Sequence, residues 1–259
     1  MAKTGEKLIA GGKRLDGRAF GEMRPIKMRV YAVEKADGSA QVSFGDTEAI
    51  VSVYGPRKLY PRFLQESERG ILRYRYVMAP FSCTDRISPG SSRRGTEISK
   101  VSRLAFEPAT FLDDFPTTVV DVFTEILQAD GSTRVTGINA ASMALAMAGV
   151  PMRDLVAACS VGKIDGHLVV DVNGVEDNNS EADVVVAMMP TKGRVTLLQM
   201  DGILTKDELF KLLDMAKENC MRIYDLQKAT IKESFKQQPD VAAVAEAAEE
   251  EAREAASEG

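Results

Sequence analysis

An apolar run that leads through a glycine-containing turn into an alanine-rich run constrains the fold of this chain most. Residues 118–127 predict a strand, Asp130-Gly131-Ser132-Thr133-Arg134 predicts a turn, and residues 137–148 predict a helix. The glycine permits close backbone approach, the serine offers a hydroxyl, and a helix start offers unpaired N–H groups and a positive dipole end. The arginine adds a fork that suits phosphate oxygens. The turn therefore predicts a phosphate site; the alternative is an ordinary helix N-cap beside a surface arginine.

The remaining pattern predicts an α+β fold in which β-sheets pack with helices in one domain. Turn pairs such as Asp37-Gly38, Gly45-Asp46 and Asp165-Gly166 separate alternating runs, and Gly55-Pro56 is expected to end the third strand. The expected strands cover 25–33, 39–44, 47–54, 71–78, 118–127, 155–164, 167–172, 182–189 and 195–200. The expected helices cover 97–112, 137–148 and a long segment from the capping box at Thr205 to Pro239. We expect a flexible segment 1–12, a domain 13–238 and a disordered acidic Ala/Glu tail 239–259.

Composition limits the chemistry. The 259 residues are 44% hydrophobic, enough for a sizeable core, and no apolar run reaches the ~20 residues of a membrane span, so a cytoplasmic protein is expected. Cys83, Cys159 and Cys220 are widely spaced, which indicates reduced thiols. His167 is the only histidine, and its place in a turn indicates a structural role. Acid–base work therefore falls to Asp, Glu, Lys or Tyr.

Charge is unevenly distributed along the chain. The formal net charge is −5, but residues 240–259 alone carry seven acids and one base. Residues 57–103 hold eleven Lys/Arg against four Asp/Glu. Such a basic segment can attract a polyanion, and the alternative is a set of ordinary solvated arginines.

Two groups within the basic segment are candidates for binding nucleic acid. Arg93 and Arg94 are expected in a loop, where adjacent arginines can grip successive phosphates; the alternative is an exposed basic loop. Residues 57–76 interleave basic and aromatic side chains, as surfaces that bind single strands do. Because the tyrosines at 74 and 76 alternate on an expected strand and fit a core position, we favour Arg57 and Arg62 as the binding residues.

Asp177 and Asp183 are the candidate catalytic acids. Asp183 opens an apolar strand, which places a carboxylate at the mouth of a buried element. Such a pair could share a divalent cation, or one member could donate a proton with a raised pKa. Glu176 and Glu181 could compete for these roles, and the alternative is an acidic loop that caps turns.

Taken together, these motifs resemble the ribonuclease PH family over roughly residues 10–235, and more narrowly the catalytic subunits of archaeal exosomes. The resemblance is carried by Arg14-Leu15-Asp16-Gly17-Arg18, Ser92-Arg93-Arg94, residues 121–132, Pro151-Met152-Arg153-Asp154-Leu155, Glu176-Asp177 and Glu181-Ala182-Asp183. It implies a ribosomal protein S5 domain 2-like fold. It also implies a phosphorolytic 3′–5′ exoribonuclease, which uses inorganic phosphate to release nucleoside diphosphates from RNA.

The resemblance also implies roles for individual residues. Gly131, Ser132 and Arg134 match the phosphate-binding turn, and Arg93 and Arg94 match the pair that holds the terminal RNA phosphates. Asp177 and Asp183 match the catalytic acids, which in relatives are linked to Mg²⁺ or Mn²⁺. Arg62 falls where exosome relatives place an arginine at a pore constriction.

The implied partners are single-stranded RNA, an inactive paralogous subunit that alternates with this one in a hexameric ring (three of each), and RNA-binding cap subunits. Two alternatives stay open at this stage: a homohexameric ribonuclease PH that trims tRNA 3′ ends, and a non-catalytic RNA-binding ring subunit.

Overall fold

The first half of the chain builds a five-stranded sheet. The computed structural model describes residues 8–10, 12–90 and 92–237. After a short hairpin of β1 (Ile9–Ala10) and β2 (Lys13–Arg14), the sheet strands are β3 (Ile26–Val30), β4 (Gly38–Phe44), β5 (Thr47–Lys58), β6 (Ile71–Met78) and β7 (Thr118–Gln128). Their spatial order is β3-β4-β5-β7-β6, and only the β6–β7 pair is parallel.

The second half builds a four-stranded antiparallel sheet. Its strands are β8 (Ala157–Ile164), β9 (His167–Val170), β10 (Ala182–Met189) and β11 (Arg194–Gly202), in the spatial order β11-β10-β8-β9. Buried valine, alanine and methionine side chains fill β10 almost throughout, because this strand lies inside the sheet and is covered on both faces.

Four helices pack with these sheets: α1 (Arg93–Phe106), α2 (Thr133–Met147), α3 (Gly174–Asn179) and α4 (Lys206–Gln237). Helix α2 contacts β4 and β5 of the first sheet and β8 of the second. Twelve of its fifteen residues are buried, which explains its small, alanine-rich sequence. Gly137 permits the close packing of α2 on β7, since a Cβ there would lie 3.0 Å from the Thr124 methyl carbon. Helix α4 covers β8 with a stripe that includes Leu212, Ala216 and Cys220.

The predicted α+β fold is confirmed, and several predicted boundaries move. Helix α2 begins at Thr133 instead of residue 137. Helix α1 begins at Arg93, because the Ser92 hydroxyl caps it by accepting a bond from the Gly95 N–H. It ends at Phe106 because Pro108 follows in a 3₁₀ turn. The predicted loop position of Arg93 and Arg94 is therefore wrong: both lie in the first turn of a helix.

The third strand does not end at Gly55-Pro56 as expected. Strand β5 continues to Lys58, because an irregularity in its pairing with β7 between Tyr54 and Arg57 accommodates the proline. Arg57 is therefore a strand residue rather than a loop residue.

The ends of the chain are described only in part. Within the segment 1–12 that we expected to be flexible, Ile9–Ala10 pairs with Lys13–Arg14, and Leu8 is buried against Ile164 and its neighbours. The acidic tail 239–259 lies outside the described residues. None of the helices in the described part of the chain is both long and apolar enough to cross a membrane.

Two of the three cysteines are buried, and His167 lies at a hairpin turn. All three cysteines are free thiols, and Cys159 and Cys220 are buried. The His167 ring packs against Phe20 with 4.9 Å between ring centroids, and its Nδ1 lies 2.9 Å from the Asp165 carbonyl. His167 therefore supports a hairpin turn.

Candidate active site

A polar cleft of about 280 Å³ lies where α1, the start of α2, helix α3 and the β10–β11 hairpin meet. It brings together four of the residues predicted from the sequence, Arg94, Arg134, Asp177 and Asp183, with side chains that the sequence did not single out. Its remaining lining residues are Glu97, Val185, Gln199 and Asp201. Arginines and carboxylates thus face one small volume, which suits an anionic substrate that must also exchange a proton.

The register between β10 and β11 determines which side chains form one wall of the cleft. Asp183 lies opposite Asp201, and Val185 lies opposite Gln199 in the antiparallel β10–β11 pair. Side chains at directly opposed positions, and at every second residue along a strand, share one face of a sheet. The register therefore places two aspartates and a glutamine in a row that faces α1 and α2.

Arg134 is held across the cleft by neutral and acidic partners. Its guanidinium donates a short hydrogen bond to the Gln199 side-chain oxygen and lies 3.5 Å from Glu97 Oε1, which also accepts a 2.9 Å bond from Gln199 Nε2. Its Nε is buried and has no hydrogen-bond partner among the described residues. Burial lowers the pKa of Arg134 from its usual value, which marks a poorly solvated cation with a spare donor.

Asp183 has the protonation behaviour of a general acid. Burial, together with the nearby Asp177 and Asp201 carboxylates, raises the pKa of Asp183 to about 7 against the opposing effect of Arg134. A group with this pKa is both protonated and ionised in substantial amounts at neutral pH. Among the described residues of the cleft, Asp183 is therefore the best suited to give a proton to a leaving oxygen.

Asp177 lies at the rim of the cleft on helix α3. Its side chain is accessible to solvent, yet the surrounding protein displaces enough water to raise its pKa, against the opposing effect of Arg94 and Arg134. The Asn173 side chain caps α3 by accepting a bond from the Glu176 N–H, and the short helix fixes the direction of Asp177. Asp177 therefore faces the arginines rather than bulk solvent alone.

Gly131 and Ser132 pack against the start of α3. Gly131 has φ +72°, and a Cβ there would lie 2.5 Å from the Asn173 carbonyl carbon. The Ser132 hydroxyl donates a 2.7 Å bond to the Val172 carbonyl and lies 2.7 Å from the Ser160 hydroxyl. The close approach that the glycine permits is thus made by the protein's own backbone. The anion-binding role of both residues stays a prediction.

The other predicted RNA-binding arginines are placed outside the lining of this cleft. Arg93 is exposed on the first turn of α1. Arg57 donates a 2.9 Å bond to buried Asp121, which Arg73 also binds. Arg62 is exposed in a 3₁₀ turn at 62–64, beside Phe63, which is 84% exposed. Their contact with RNA stays a prediction.

The structure decides two questions that the sequence left open: whether Glu176 or Glu181 lies in the cleft, and whether the two strand tyrosines are core residues. Glu176 is buried and paired with Arg14, and Glu181 pairs with Lys163 at 3.2 Å, so neither lines the cleft. Tyr74 and Tyr76 are core residues, 8% and 4% exposed.

Sequence reasoning missed Glu97, Gln199 and Asp201. Asp201 and Gln199 become visible once 182–189 and 195–200 are paired as a hairpin, since that register sets them opposite Asp183 and Val185. Glu97 carried no signal of its own, because its role depends on where α1 meets β11.

The cleft fits a divalent cation only in part. The described residues contain no group of three or more His, Cys, Asp or Glu that could hold a metal ion. Mg²⁺ is often bound by one or two carboxylates together with substrate phosphates and water. Asp177 and Asp183 could take part in such a shared site, but the described residues do not form a protein-only metal cage.

This fold and cleft define a class: an α+β protein whose two halves jointly line a cleft of arginines and aspartates. Residues 22–151 match the 3′ exoribonuclease (RNase PH) family, domain 1, and residues 154–219 match its domain 2. The chain therefore belongs to the 3′ exoribonuclease family.

Within this family, the chain is similar to exosome components of two archaeal species. The chain is 56% identical over 232 residues to the exosome complex component Rrp41 of Thermococcus kodakarensis, covering 89% of this chain and 93% of the relative. It is 49% identical to the exosome complex component Rrp41 of Methanopyrus kandleri, covering 91% and 99%.

Two solved structures share the fold at 22% sequence identity. Rice Rrp46 superposes with a TM-score of 0.77 over 85% of this chain and 100% of that one. A chain of the Archaeoglobus fulgidus exosome with RNA bound to the active site gives 0.69 over 82% and 92%. These similarities confirm the fold predicted from the sequence.

Proposed function

We propose that this chain is the catalytic subunit of an exosome-type complex and degrades RNA from its 3′ end by phosphorolysis. The observation that carries the proposal is the cleft in which Arg94 and Arg134 face Asp177 and Asp183. The exosome names of relatives that are 49–56% identical over most of the chain support the same assignment.

Orthophosphate binds at Arg134 in this mechanism. The residue lies in the first turn of α2, where the helix dipole and unpaired N–H groups favour an anion, and its Nε has a donor to spare. An incoming phosphate exchanges with the Glu97 and Gln199 contacts of the guanidinium. Arg94, with neighbouring Arg93, holds the phosphates near the RNA 3′ end.

The reaction is a displacement at the last phosphodiester phosphorus. A phosphate oxygen forms a new P–O bond, and the bond to the 3′ oxygen of the penultimate nucleotide breaks. Asp183 gives its proton to that oxygen. The products are a nucleoside 5′-diphosphate and an RNA that is one nucleotide shorter and has a free 3′ hydroxyl. In molecules where Asp183 is ionised instead, Asp177 and Asp183 would hold Mg²⁺ or Mn²⁺, which would neutralise the charge on the phosphates and on the leaving oxygen in place of the proton.

The proposal includes partners that complete the RNA path. We place the chain in the cytoplasm, in a hexameric ring that alternates three copies with three of an inactive paralogue, under RNA-binding cap subunits. In that ring Arg57 and Arg62 contact single-stranded RNA on its way to the cleft. The basic segment 57–103 supplies the attraction for the polyanion.

The decisive experiment is product analysis on oligo(A) that is labelled at every nucleotide. The chain is assayed alone and with its paralogue, each with and without phosphate, and products are separated by thin-layer chromatography. We expect nucleoside diphosphates only when phosphate is present, and faster with the paralogue. Release of nucleoside monophosphates without phosphate would contradict phosphorolysis. Asp183→Asn is the matched control, because it should bind RNA and release nucleoside diphosphate about 10²–10⁴-fold more slowly.

A further inference from the structure

Three arginines in the segment 13–24 are buried close to the cleft without lining it. Arg14, Arg18 and Arg24 are 2%, 8% and 7% exposed. A buried guanidinium is costly unless its donors are matched by acceptors. Apart from acceptors within 13–24 and the Thr47 hydroxyl, the acceptors of these three residues lie in two segments, at Asp130 and at 170–176. These segments lead into the predicted phosphate turn and the helix of Asp177.

Arg14 holds helix α3. Its Nε donates to Glu176 Oε1 at 2.7 Å, and a second, shorter bond joins its Nη2 to Glu176 Oε2. The same guanidinium donates to the carbonyls of Val170 at 2.6 Å and Asp171 at 2.7 Å. Because Glu176 precedes Asp177 on a six-residue helix, fixing Glu176 inward fixes Asp177 toward the cleft.

Arg24 holds the turn on the opposite side. It binds both carboxylate oxygens of Asp171, at 2.9 and 2.7 Å, and its Nη1 donates to the Asp130 carbonyl at 2.6 Å. The Asp130 side chain in turn accepts a 3.1 Å bond from the Gly174 N–H. Arg24 therefore ties the turn that leads to Arg134 to the segment that leads to Asp177.

We propose that Arg14 and Arg24 are positioning residues: Arg14 sets the place of Asp177, and Arg24 sets the place of the 130–134 turn. The inference rests on the proposed function, since it assigns these residues to that reaction. Neither touches the cleft, so each acts through another residue. Arginine suits the task because one planar fork satisfies several fixed acceptors at once, which a lysine ammonium cannot do in the same geometry.

The test uses Arg14→Lys and Arg24→Lys in the complex with the paralogue. Arg29→Lys is the matched control, because the one side-chain partner of Arg29 among the described residues is Gln41, on the exposed surface of β3 and β4. We expect Arg14→Lys to lower kcat on oligo(A) by roughly tenfold or more while KM for phosphate stays within about twofold. We expect Arg24→Lys to raise KM for phosphate by a similar factor, and the control to match the wild type.

The expected difference between the two variants, kcat for Arg14→Lys and KM for Arg24→Lys, distinguishes a positioning role from a general loss of folded enzyme. Rates are therefore divided by the folded fraction, measured by circular dichroism. A purely structural role would then leave kcat and KM of both variants at the wild-type values, and that result would overturn the proposal. If Arg14→Lys does not fold, Glu176→Gln removes the same ion pair with an isosteric side chain and should show the same kcat loss.

Hydrogen exchange keeps this inference separate from the proposed function. In Arg14→Lys we expect faster amide exchange confined to 174–179, with 206–237 unchanged. Exchange that is unchanged, or faster throughout, would contradict the positioning role. If the wild type released no nucleoside diphosphate, the proposed function would fail, while the exchange result would still decide whether Arg14 holds α3.

Discussion

Two clusters of acids lie on either side of helix α3, and they differ in whether arginines form ion pairs with them. On the buried side, Arg24 binds Asp171 at 2.7 Å, and Arg14 forms a short ion pair with Glu176. On the cleft side, Asp177, Asp183 and Asp201 have no ion pair to a basic side chain within the described residues, although Arg94 and Arg134 line the same volume. Consecutive residues, Glu176 and Asp177, thus belong to different clusters.

The arginines respond to the two environments in opposite directions. Burial alone would lower the pKa of Arg24, but its bonds to Asp171 outweigh this and the pKa is raised. For Arg134 burial prevails and the pKa is lowered. A matched cluster stabilises the fold, whereas an unmatched one leaves donors and protons available to a ligand.

The largest effect is expected from Asp183→Asn. The variant keeps the shape of the side chain and loses the transferable proton, so kcat should fall by about 10²–10⁴-fold. RNA affinity, measured by filter binding, should stay within a few-fold. A loss of binding as large as the loss of rate would move Asp183 from the reaction to substrate binding and would remove the contrast between the clusters.

Substitutions at Glu176 and at Asp177 should have different effects on the free energy of unfolding. Glu176→Ala leaves Arg14 buried without its partner and should lower the free energy of unfolding by about 3–5 kcal/mol. Asp177→Asn removes an unpaired, solvent-accessible charge and should change it by less than about 0.5 kcal/mol. Urea denaturation of the two variants checks both values. Equal losses would show that the cleft acids also hold the fold together.

Asp183 should make the stability of the folded protein fall as the pH rises. The folded protein keeps a proton on Asp183 up to about pH 7, while the unfolded chain releases it near 3.8. The folded state therefore binds more protons between these values, and this group's contribution lowers stability as pH rises from about 4 to about 7. Above that window the contribution is constant. Comparison of melting curves with Asp183→Asn isolates it, and an identical slope in the variant would exclude Asp183 as the source.

The smallest effect is expected outside both clusters, at Arg62→Glu. Arg62 is exposed and distinct from the cleft lining, so single-turnover chemistry on short RNA should change little. Retention of longer RNA should weaken, and the slope of log affinity against log salt should fall by about 1 for each phosphate that the variant no longer neutralises. Unchanged binding across the salt titration would contradict a role in the RNA path.

Local signals predicted much of the fold because they are strong within short windows. The run Ile71–Met78 and the strand Ala182–Met189 have the predicted bounds, and the turn at 130–134 joins a strand to a helix as expected. Boundaries failed where a single contact decides them, as when the Ser92 hydroxyl starts α1 before Glu97.

The sequence predicted which types of residue form the site, but not which individual acids lie together in the cleft. Asp183 was identified because it opens an apolar strand, and Asp177 because it lies in the acidic segment just before that strand. The sequence could not separate either of them from Glu176. The distinction depends on Arg14, which lies 162 positions away in the chain. Asp201 depends in the same way on the β10–β11 register, which sets it opposite Asp183.

The division of the cleft between the two sequence domains has one further consequence. Arg94 and Arg134 come from 22–151, whereas Asp177, Asp183 and Asp201 come from 154–219. In the proposed reaction, an oxyanion held by Arg94 and Arg134 would accept hydrogen bonds from the second half only through protonated Asp183 or the Gln199 amide, and would then link the two halves. Such binding would raise the free energy of unfolding by RT ln(1 + [L]/Kd). The proposed function therefore predicts that added phosphate stabilises the folded subunit, and that this effect weakens as Asp183 loses its proton.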